Sequence, residues 1–289
     1  MDVYLIDGTY ELFRHFYALP PQTNSAGEEV AATRGVLGSI LTILESGVRY
    51  VGVATDHVIE SFRNDLWPNY KTGEGVDPRL LSQFQLLENS LASMGIVVWP
   101  MIELEADDAM AGAAEGLKKF REVNRIYLCS PDKDLSQCVR RDRIVMMDRR
   151  RSKIIDETGV VEKFGVPPKS IPDYLALVGD TADGYPGIDG WGGKSASTVL
   201  AKYHHLERIP GNHNRWTVSP RGASKLADNL RENMKLALLF RDLATLRTGM
   251  PRISGPDQVL WKGPKEDFTE TCRRLESTQL VDRIQTLTR

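Results

Sequence analysis

The sequence has few of the features that mark disulfide-rich, zinc-binding or membrane proteins. Its three cysteines are odd in number and lack metal-type spacing, which favours a reduced, cytosolic compartment. None of its five histidines stands at a spacing typical of a metal site or a catalytic triad. No apolar run approaches the roughly 18 residues that a membrane helix needs, so we expect a cytoplasmic protein without a membrane span. The N-terminal MDVYLIDG reads as a first strand, not as a signal peptide.

The chain also lacks a strong excess of either charge. Its 289 residues carry a net charge of −2, which by itself neither supports nor excludes a nucleic-acid partner. A content of 41% hydrophobic and 26% charged residues is typical of a globular protein. The length predicts one large domain or two closely packed ones.

Strand and helix patterns alternate in the first half of the chain. This alternation predicts an α/β fold with a mostly parallel sheet. From about residue 156 the pattern becomes helical, so we expect an α/β core over residues 1–155 and a helical region over 156–289. Between these two regions, MMDRRRSKIID predicts a hairpin with three arginines at its tip. The simplest interpretation of these charges is that the hairpin lies on the solvated surface. The predicted strands are 3–6, 50–54, 96–99 and 125–129, and the predicted helices are 32–44, 79–94, 106–120, 160–164, 172–178, 195–203 and 224–245.

Acidic residues follow four of the predicted strands. One such Asp is most simply a turn or helix-cap residue. Four strand ends bring carboxylates to one edge of a parallel sheet, where ligands of such sheets bind. A ligand set of oxygen atoms, without His or Cys, suits Mg²⁺ or Mn²⁺. There are more carboxylates than one ion needs, which indicates two ions. Two such ions are typical of enzymes that hydrolyse phosphodiesters. The candidate ligands are Asp7, Asp56, Glu105, Asp107, Asp108, Asp132 and Asp134, with Asp180 and Asp183 spaced to project from one face of a helix end.

Candidate phosphate contacts lie in two stretches. Arg63 and Lys71 follow the strand end at Asp56, and Tyr70 between them could stack on a base. Farther on, GWGGKS is not a nucleotide-triphosphate loop, because that pattern requires glycine where this chain has Ile188. This stretch predicts a glycine-rich turn between two helices. The turn either binds a DNA backbone phosphate or is only a tight connection between the helices.

The sequence resembles the 5′ nucleases, the family of flap endonucleases and of the 5′→3′ exonuclease domain of bacterial DNA polymerase I. The resemblance covers residues 3–250 in order. It implies a PIN-like nuclease core with a helical arch over 73–94, and a helix–turn–helix-type DNA-binding module over 171–207. Because no polymerase region follows, we expect a stand-alone form. The matching motifs are LIDG (5–8), TD (55–56), SFR (61–63), YK (70–71), EADD (105–108), SPDKDL (130–135), GDTAD (179–183) and PGIDGWGGKSA (186–196).

The resemblance also implies roles for individual residues. Asp7, Asp56, Glu105, Asp107 and Asp108 would surround a first Mg²⁺, and Asp134, Asp180 and Asp183 a second, with Asp132 between them and Mn²⁺ as a substitute. Lys71, Arg63 and Asp132 would act in catalysis. Family members commonly hold K⁺ in the helix–turn–helix module. The expected DNA contacts are Arg63, Tyr70, Lys71, Gly190, Gly192, Lys194 and Ser195.

The implied activity is that of a monomeric 5′→3′ exonuclease and flap endonuclease acting in primer removal and repair. Its substrates would be DNA with 5′ flaps, nicks or recessed 5′ ends. The alternatives are a PIN-type ribonuclease, which is usually about half this length, and a non-catalytic DNA-binding relative. A dinucleotide-binding enzyme lacks the required G-x-G-x-x-G after the first strand. The chain departs from the family pattern at Glu74 (often Arg), Pro131 (often small) and Gly184-Tyr185 (usually Asn-Leu).

Overall fold

A computed structural model describes residues 1–288, which form two compact units. Unit 1 contains Met1–Ile59, Gly73–Ser130 and the chain from Thr248 onward, and unit 2 contains Glu60–Thr72 and Pro131–Arg247. Among the described residues, no helix has both the length and the apolarity that crossing a membrane requires.

The elements are numbered in chain order. The strands are β1 (Asp2–Asp7), β2 (Tyr50–Asp56), β3 (Val97–Met101), β4 (Arg125–Cys129), β5 (Ile144–Asp148) and β6 (Lys153–Ile155). The helices are α1 (Gly8–Ala18), α2 (Ala31–Glu45), α3 (Phe62–Leu66), α4 (Pro78–Leu81), α5 (Gln83–Ser93), α6 (Ala106–Leu117), α7 (Glu157–Phe164), α8 (Ile171–Val178), α9 (Gly193–Tyr203), α10 (Ala223–Glu232), α11 (Met234–Ala244), α12 (Phe268–Arg274) and α13 (Thr278–Thr288). Short 3₁₀ helices span Asp134–Cys138, Pro168–Ser170, Leu206–Arg208, His213–Arg215 and Pro256–Val259.

Four parallel strands form the sheet of unit 1, in the order β3-β2-β1-β4. The predicted parallel sheet is therefore confirmed. Most residues of β1, β2 and β4 are buried, as expected for parallel strands covered on both faces; Leu5 and Val53, for example, are fully buried. The strands run in the same direction, so Asp7 and Asp56 both lie at the carboxyl edge.

The helices of unit 1 differ from the prediction at several places. Helix α1 was not predicted; it starts directly after β1 because the Asp7 side chain caps it. The single helix predicted over 79–94 is two helices, α4 and α5, which meet at Ser82. Helices α12 and α13 were not predicted either, and α13 packs against α2.

Unit 2 contains the predicted hairpin, in which β5 and β6 pair antiparallel on either side of Arg149–Arg151. The helix predicted over 224–245 is wrong as a single element, since α10 ends and α11 begins at Asn233. There the side-chain amide and the backbone N–H of Asn233 both donate to the carbonyl of Asn229, at 2.9 and 3.0 Å. Helix α11 packs against α8, whose end leads into the candidate site.

Candidate metal centre

Asp7 and Asp56 occupy the ends of neighbouring strands in unit 1. Asp7 accepts hydrogen bonds from the backbone N–H of Tyr10 at 2.7 Å and from the Ser130 hydroxyl at 2.8 Å. Asp56 accepts one from the N–H of Ala106 at 2.7 Å, which joins the end of β2 to the start of α6. These carboxylates thus cap helices and also lie at the sheet edge where the sequence predicted ligands.

Three further acids crowd the start of α6. Glu105 is its N-cap residue, and the fully buried Asp108 accepts a hydrogen bond from the Glu105 N–H at 2.9 Å. Asp107 lies half-buried in the first turn. The positive end of a helix dipole favours negative charge here. Asp108 therefore has a capping role of its own, and metal binding by the five acids of unit 1 stays a prediction.

Three carboxylates converge in unit 2. Oxygen atoms of Asp134, Asp180 and Asp183 lie within 4.8 Å of one another, and all three side chains are buried. Burial raises the pKa of Asp134 well above its usual range, and the charges of Asp132, Asp183 and Asp180 raise it further. Its Oδ1 is buried and accepts no hydrogen bond from the described residues. A cation bound among these oxygens would relieve the repulsion and provide the missing partner.

Short turns hold these carboxylates in place. The Asp134 N–H donates to the Asp132 carboxylate at 2.9 Å where the 3₁₀ helix begins. Asp180 and Asp183 lie in a loop after α8, not on a helix end as predicted. In this loop Asp180 and Tyr185 exchange two backbone hydrogen bonds of 2.8 and 3.0 Å. Burial raises the pKa of Asp132, with a further contribution from Asp180.

Two lysines lie beside the three carboxylates. Lys133 Nζ is 2.6 Å from Asp180 Oδ2, and Lys71 Nζ is 4.0 Å from Asp183 Oδ1. Burial lowers the pKa of Lys133, but its hydrogen bond to Asp180 and the neighbouring acids outweigh burial and raise it overall. Lys71 was predicted here, whereas Lys133 was missed, although SPDKDL places it between two candidate ligands. Both ammonium groups partly balance the acidic charge.

The other predicted DNA contacts of segment 61–71 are buried. Arg63 is 1% exposed, and its Nε donates to the carbonyl of Leu243 at 2.8 Å. Tyr70 is 3% exposed. These side chains hold the segment inside unit 2, so contact with a phosphate or a base would require them to move. Their DNA contacts remain predictions.

The glycine-rich turn before α9 is as the sequence predicted. Gly190 has a φ of +79°, a left-handed conformation that favours glycine. The Ser195 hydroxyl bonds both the N–H and the carbonyl of Gly192, while Lys194 is exposed. Trp191 anchors the turn, because its ring is buried and its Nε1 donates to the carbonyl of Leu226 at 3.1 Å. Sequence reasoning missed this tryptophan.

Comparison with known proteins identifies the family. Residues 2–165 match the family model for the 5′-3′ exonuclease N-terminal resolvase-like domain, and residues 166–267 match that for the 5′-3′ exonuclease C-terminal SAM fold. A 5′-3′ exonuclease of Aquifex aeolicus is 34% identical over 247 residues, which are 83% of this chain and 82% of that protein. DNA polymerase I of Pseudomonas aeruginosa is 32% identical over 96% of this chain, which spans only 31% of that polymerase.

Solved structures share the fold. The T5 D15 protein co-crystallised with metal ions has a TM-score of 0.68 at 15% identity, over 100% of this chain and 98% of that one. Flap endonuclease-1 from Methanococcus jannaschii has a TM-score of 0.61 at 15% identity, over 99% and 92%. With the two family models covering residues 2–267, the chain belongs to the 5′-3′ exonuclease family.

Proposed function

We propose that this protein is a divalent-metal-dependent 5′→3′ exonuclease and flap endonuclease that hydrolyses DNA phosphodiesters. The observation that carries the proposal is the group of three buried carboxylates, Asp134, Asp180 and Asp183, in a chain of the 5′-3′ exonuclease family. Buried acids that repel one another and leave one oxygen without a partner destabilise a fold. Their presence together is explained by a bound cation.

The proposed cofactor is a pair of Mg²⁺ ions, with Mn²⁺ as a substitute. One would be held by the acids of the sheet edge in unit 1 and the other by Asp134, Asp180 and Asp183, with Asp132 completing the set. Such ions activate water and neutralise charge on a phosphate. In unit 2, Lys71 has a partly exposed side chain and supplies a positive charge for the scissile phosphate. The turn at Gly190–Gly192 would hold K⁺ and contact a DNA backbone.

The proposed substrate is DNA with a 5′ flap, a nick or a recessed 5′ end, processed by a monomer during primer removal and repair in a bacterial cytoplasm. Residues 73–94 would form the arch over the single strand, and residues 171–207 would grip the duplex. The similarity to a T5 D15 flap endonuclease crystallised as a pseudo-enzyme-product complex with DNA and metal ions supports this choice. A Rad2 catalytic core in complex with DNA substrate has the same fold.

A 5′-labelled flap duplex tests the proposal directly. We expect release of the flap near the junction in Mg²⁺ and in Mn²⁺, and none in excess chelator. Asp132→Ala should abolish cleavage while leaving DNA binding largely intact, because it removes a ligand without touching the glycine-rich turn. Asp257→Ala, which changes an exposed acid of a 3₁₀ turn, should cleave normally.

The other outcomes of this assay would support one of the alternative functions. Binding without cleavage in either metal would identify a non-catalytic DNA-binding relative. Failure to bind the flap, with cleavage of single-stranded RNA, would identify a PIN-type ribonuclease. Normal cleavage by the Asp132→Ala variant would contradict the two-metal assignment.

A further inference from the structure

Tyr185 stands in the loop that carries two of the three clustered carboxylates. Its backbone exchanges two hydrogen bonds with Asp180, so the two residues form an antiparallel bridge. Residues directly opposite in such a pair have their side chains on the same side, with Cβ atoms roughly 5 Å apart. The Tyr185 side chain therefore points to the side on which the Asp180 carboxylate lies.

The Tyr185 ring is fixed, but its hydroxyl is not bonded. Tyr185 is 1% exposed, and its ring stacks on Phe240 with centroids 5.4 Å apart. Its hydroxyl is buried and has no hydrogen-bond partner among residues 1–288. A buried hydroxyl without a partner is costly and rare in folded proteins. The ring is thus held at a position where its hydroxyl requires a ligand from outside the chain.

The surroundings of this hydroxyl are acidic. Burial raises the pKa of Tyr185 far above its usual value, and the charges of Asp134, Asp180 and Asp183 raise it further. A phenol is protonated at neutral pH and can donate a hydrogen bond. Asp134 Oδ1 is the other buried atom without a partner in this cluster, and in the ionised form that binds a cation it can only accept a hydrogen bond. A hydrated cation offers a positive centre to the carboxylate and water oxygens to the phenol.

We propose that Tyr185 is a positioning residue for the cation of Asp134, Asp180 and Asp183, its hydroxyl donating a hydrogen bond to a water bound to that cation. The proposal rests on the metal dependence proposed above. A leucine could pack on Phe240 but could not hold the water. Outer partners of this kind typically change metal affinity by 10- to 100-fold.

Manganese binding without DNA measures this role separately from catalysis. Free Mn²⁺ is followed by electron paramagnetic resonance during titration of the whole chain, and Asp180→Asn identifies which binding event belongs to the cluster. We expect Tyr185→Phe to weaken that event by about 10-fold, and Tyr185→Leu by at least as much. Tyr174→Phe is the matched control, since Tyr174 is a half-buried tyrosine of the same unit outside the loop, and should bind Mn²⁺ like the wild type.

Stability in chelator shows whether the effect is structural. Tyr185→Phe keeps the stacked ring and removes only a hydroxyl without a partner, so we expect a melting temperature equal to or above that of the wild type. If the wild type binds Mn²⁺ and cuts the flap, a Tyr185→Phe protein whose Mn²⁺ affinity is within twofold of the wild type would overturn this inference but not the proposed function. A wild type that binds no Mn²⁺ would overturn both this inference and the metal-dependent function.

Discussion

The carboxylates of the candidate site differ in whether the chain itself provides hydrogen-bond donors for their oxygens. The side chains of Asp7 and Asp56 accept hydrogen bonds from the N–H groups of Tyr10 and Ala106. Asp134 presents an oxygen that nothing in the described chain satisfies. We therefore expect replacement of Asp134 to stabilise the fold while weakening metal binding, whereas replacement of a capping acid should not stabilise the fold.

Asp134→Asn should stabilise the protein in chelator and weaken its response to Mg²⁺. Because the folded pKa of Asp134 is raised above the unfolded value of about 3.9, the folded state binds the proton more tightly. The contribution of Asp134 to stability is present at low pH and is lost as pH rises above that unfolded value. At pH 8 we expect the neutral variant to be more stable by about 1 kcal/mol or more, since it removes one ion from a buried cluster of like charge. Thermal unfolding from pH 5 to 8 measures this.

Addition of Mg²⁺ should reverse the order of stability of the wild type and the Asp134→Asn variant. A ligand that binds only the folded state raises its stability in proportion to the logarithm of the ligand concentration. The wild type should become more stable as Mg²⁺ is added, and the Asp134→Asn variant much less so. Asp257→Asn, at an exposed position, should follow the wild type throughout. Equal responses of wild type and Asp134→Asn to Mg²⁺ would show that Asp134 is not a ligand.

At the scale of elements, the sequence predicted strands better than helix ends. The strands were recognisable because a parallel sheet buries both faces and so needs continuous apolar runs, as in VYLI and VGVA. The helices over 79–94 and 224–245 looked continuous because their apolar spacing continues across Ser82 and Asn233. At both breaks a polar side chain donates to a carbonyl of the preceding turn, a contact that apolar spacing does not record. Helix α1 was missed because Asp7-Gly8 was interpreted as the end of a strand, although the same Asp caps the helix.

The acids of the site were predictable, but their partners were not. Strand ends can be located from sequence, and in a parallel sheet they share an edge. Lys133 and Trp191 became functional candidates only through contacts with Asp180 and Leu226, which lie far from them in the chain, so no spacing rule connects them. Tyr185 became one only through the bridge that it forms with Asp180 in their loop. Conversely, Arg63 and Tyr70 have the sequence pattern of DNA contacts but are buried.

The segment that leads into α4 carries an exposed Glu74, whose negative charge would repel a DNA phosphate. If residues 73–94 contact a 5′ single strand, Glu74→Arg should tighten binding of a flap duplex several-fold at low salt. The slope of log affinity against log salt should steepen, by about 0.7 for each additional phosphate that the protein neutralises. Fluorescence anisotropy in chelator measures both quantities, and Glu74→Gln should lie between wild type and Glu74→Arg. Unchanged binding for all three proteins would show that this segment does not contact the strand.

At the scale of the whole molecule, unit 1 is assembled from parts of the chain that are far apart in sequence. The segment after Thr248 returns to the sheet, where Leu260 forms a bridge with Tyr50 and the Trp261 N–H donates to the carbonyl of Arg49 at 2.7 Å. The Trp261 ring is 6% exposed, and its Nε1 donates to the carbonyl of Met94 at 2.9 Å. The C-terminal segment is therefore part of the nuclease core, although no nuclease motif lies in it.

This assembly predicts that Trp261→Ala destabilises the protein by about 3–5 kcal/mol, the usual cost of deleting a buried aromatic ring. Tyr50 and Arg49 flank the start of β2, whose far end carries Asp56, so flap cleavage should also fall as the folded fraction falls. Urea unfolding followed by circular dichroism measures the stability, with Trp261→Phe expected to lose less because it keeps most of the ring. Lys262→Ala, at the exposed neighbouring position, should change stability by no more than about 0.5 kcal/mol. A Trp261→Ala protein as stable as the wild type would show that the Trp261 ring does not stabilise unit 1.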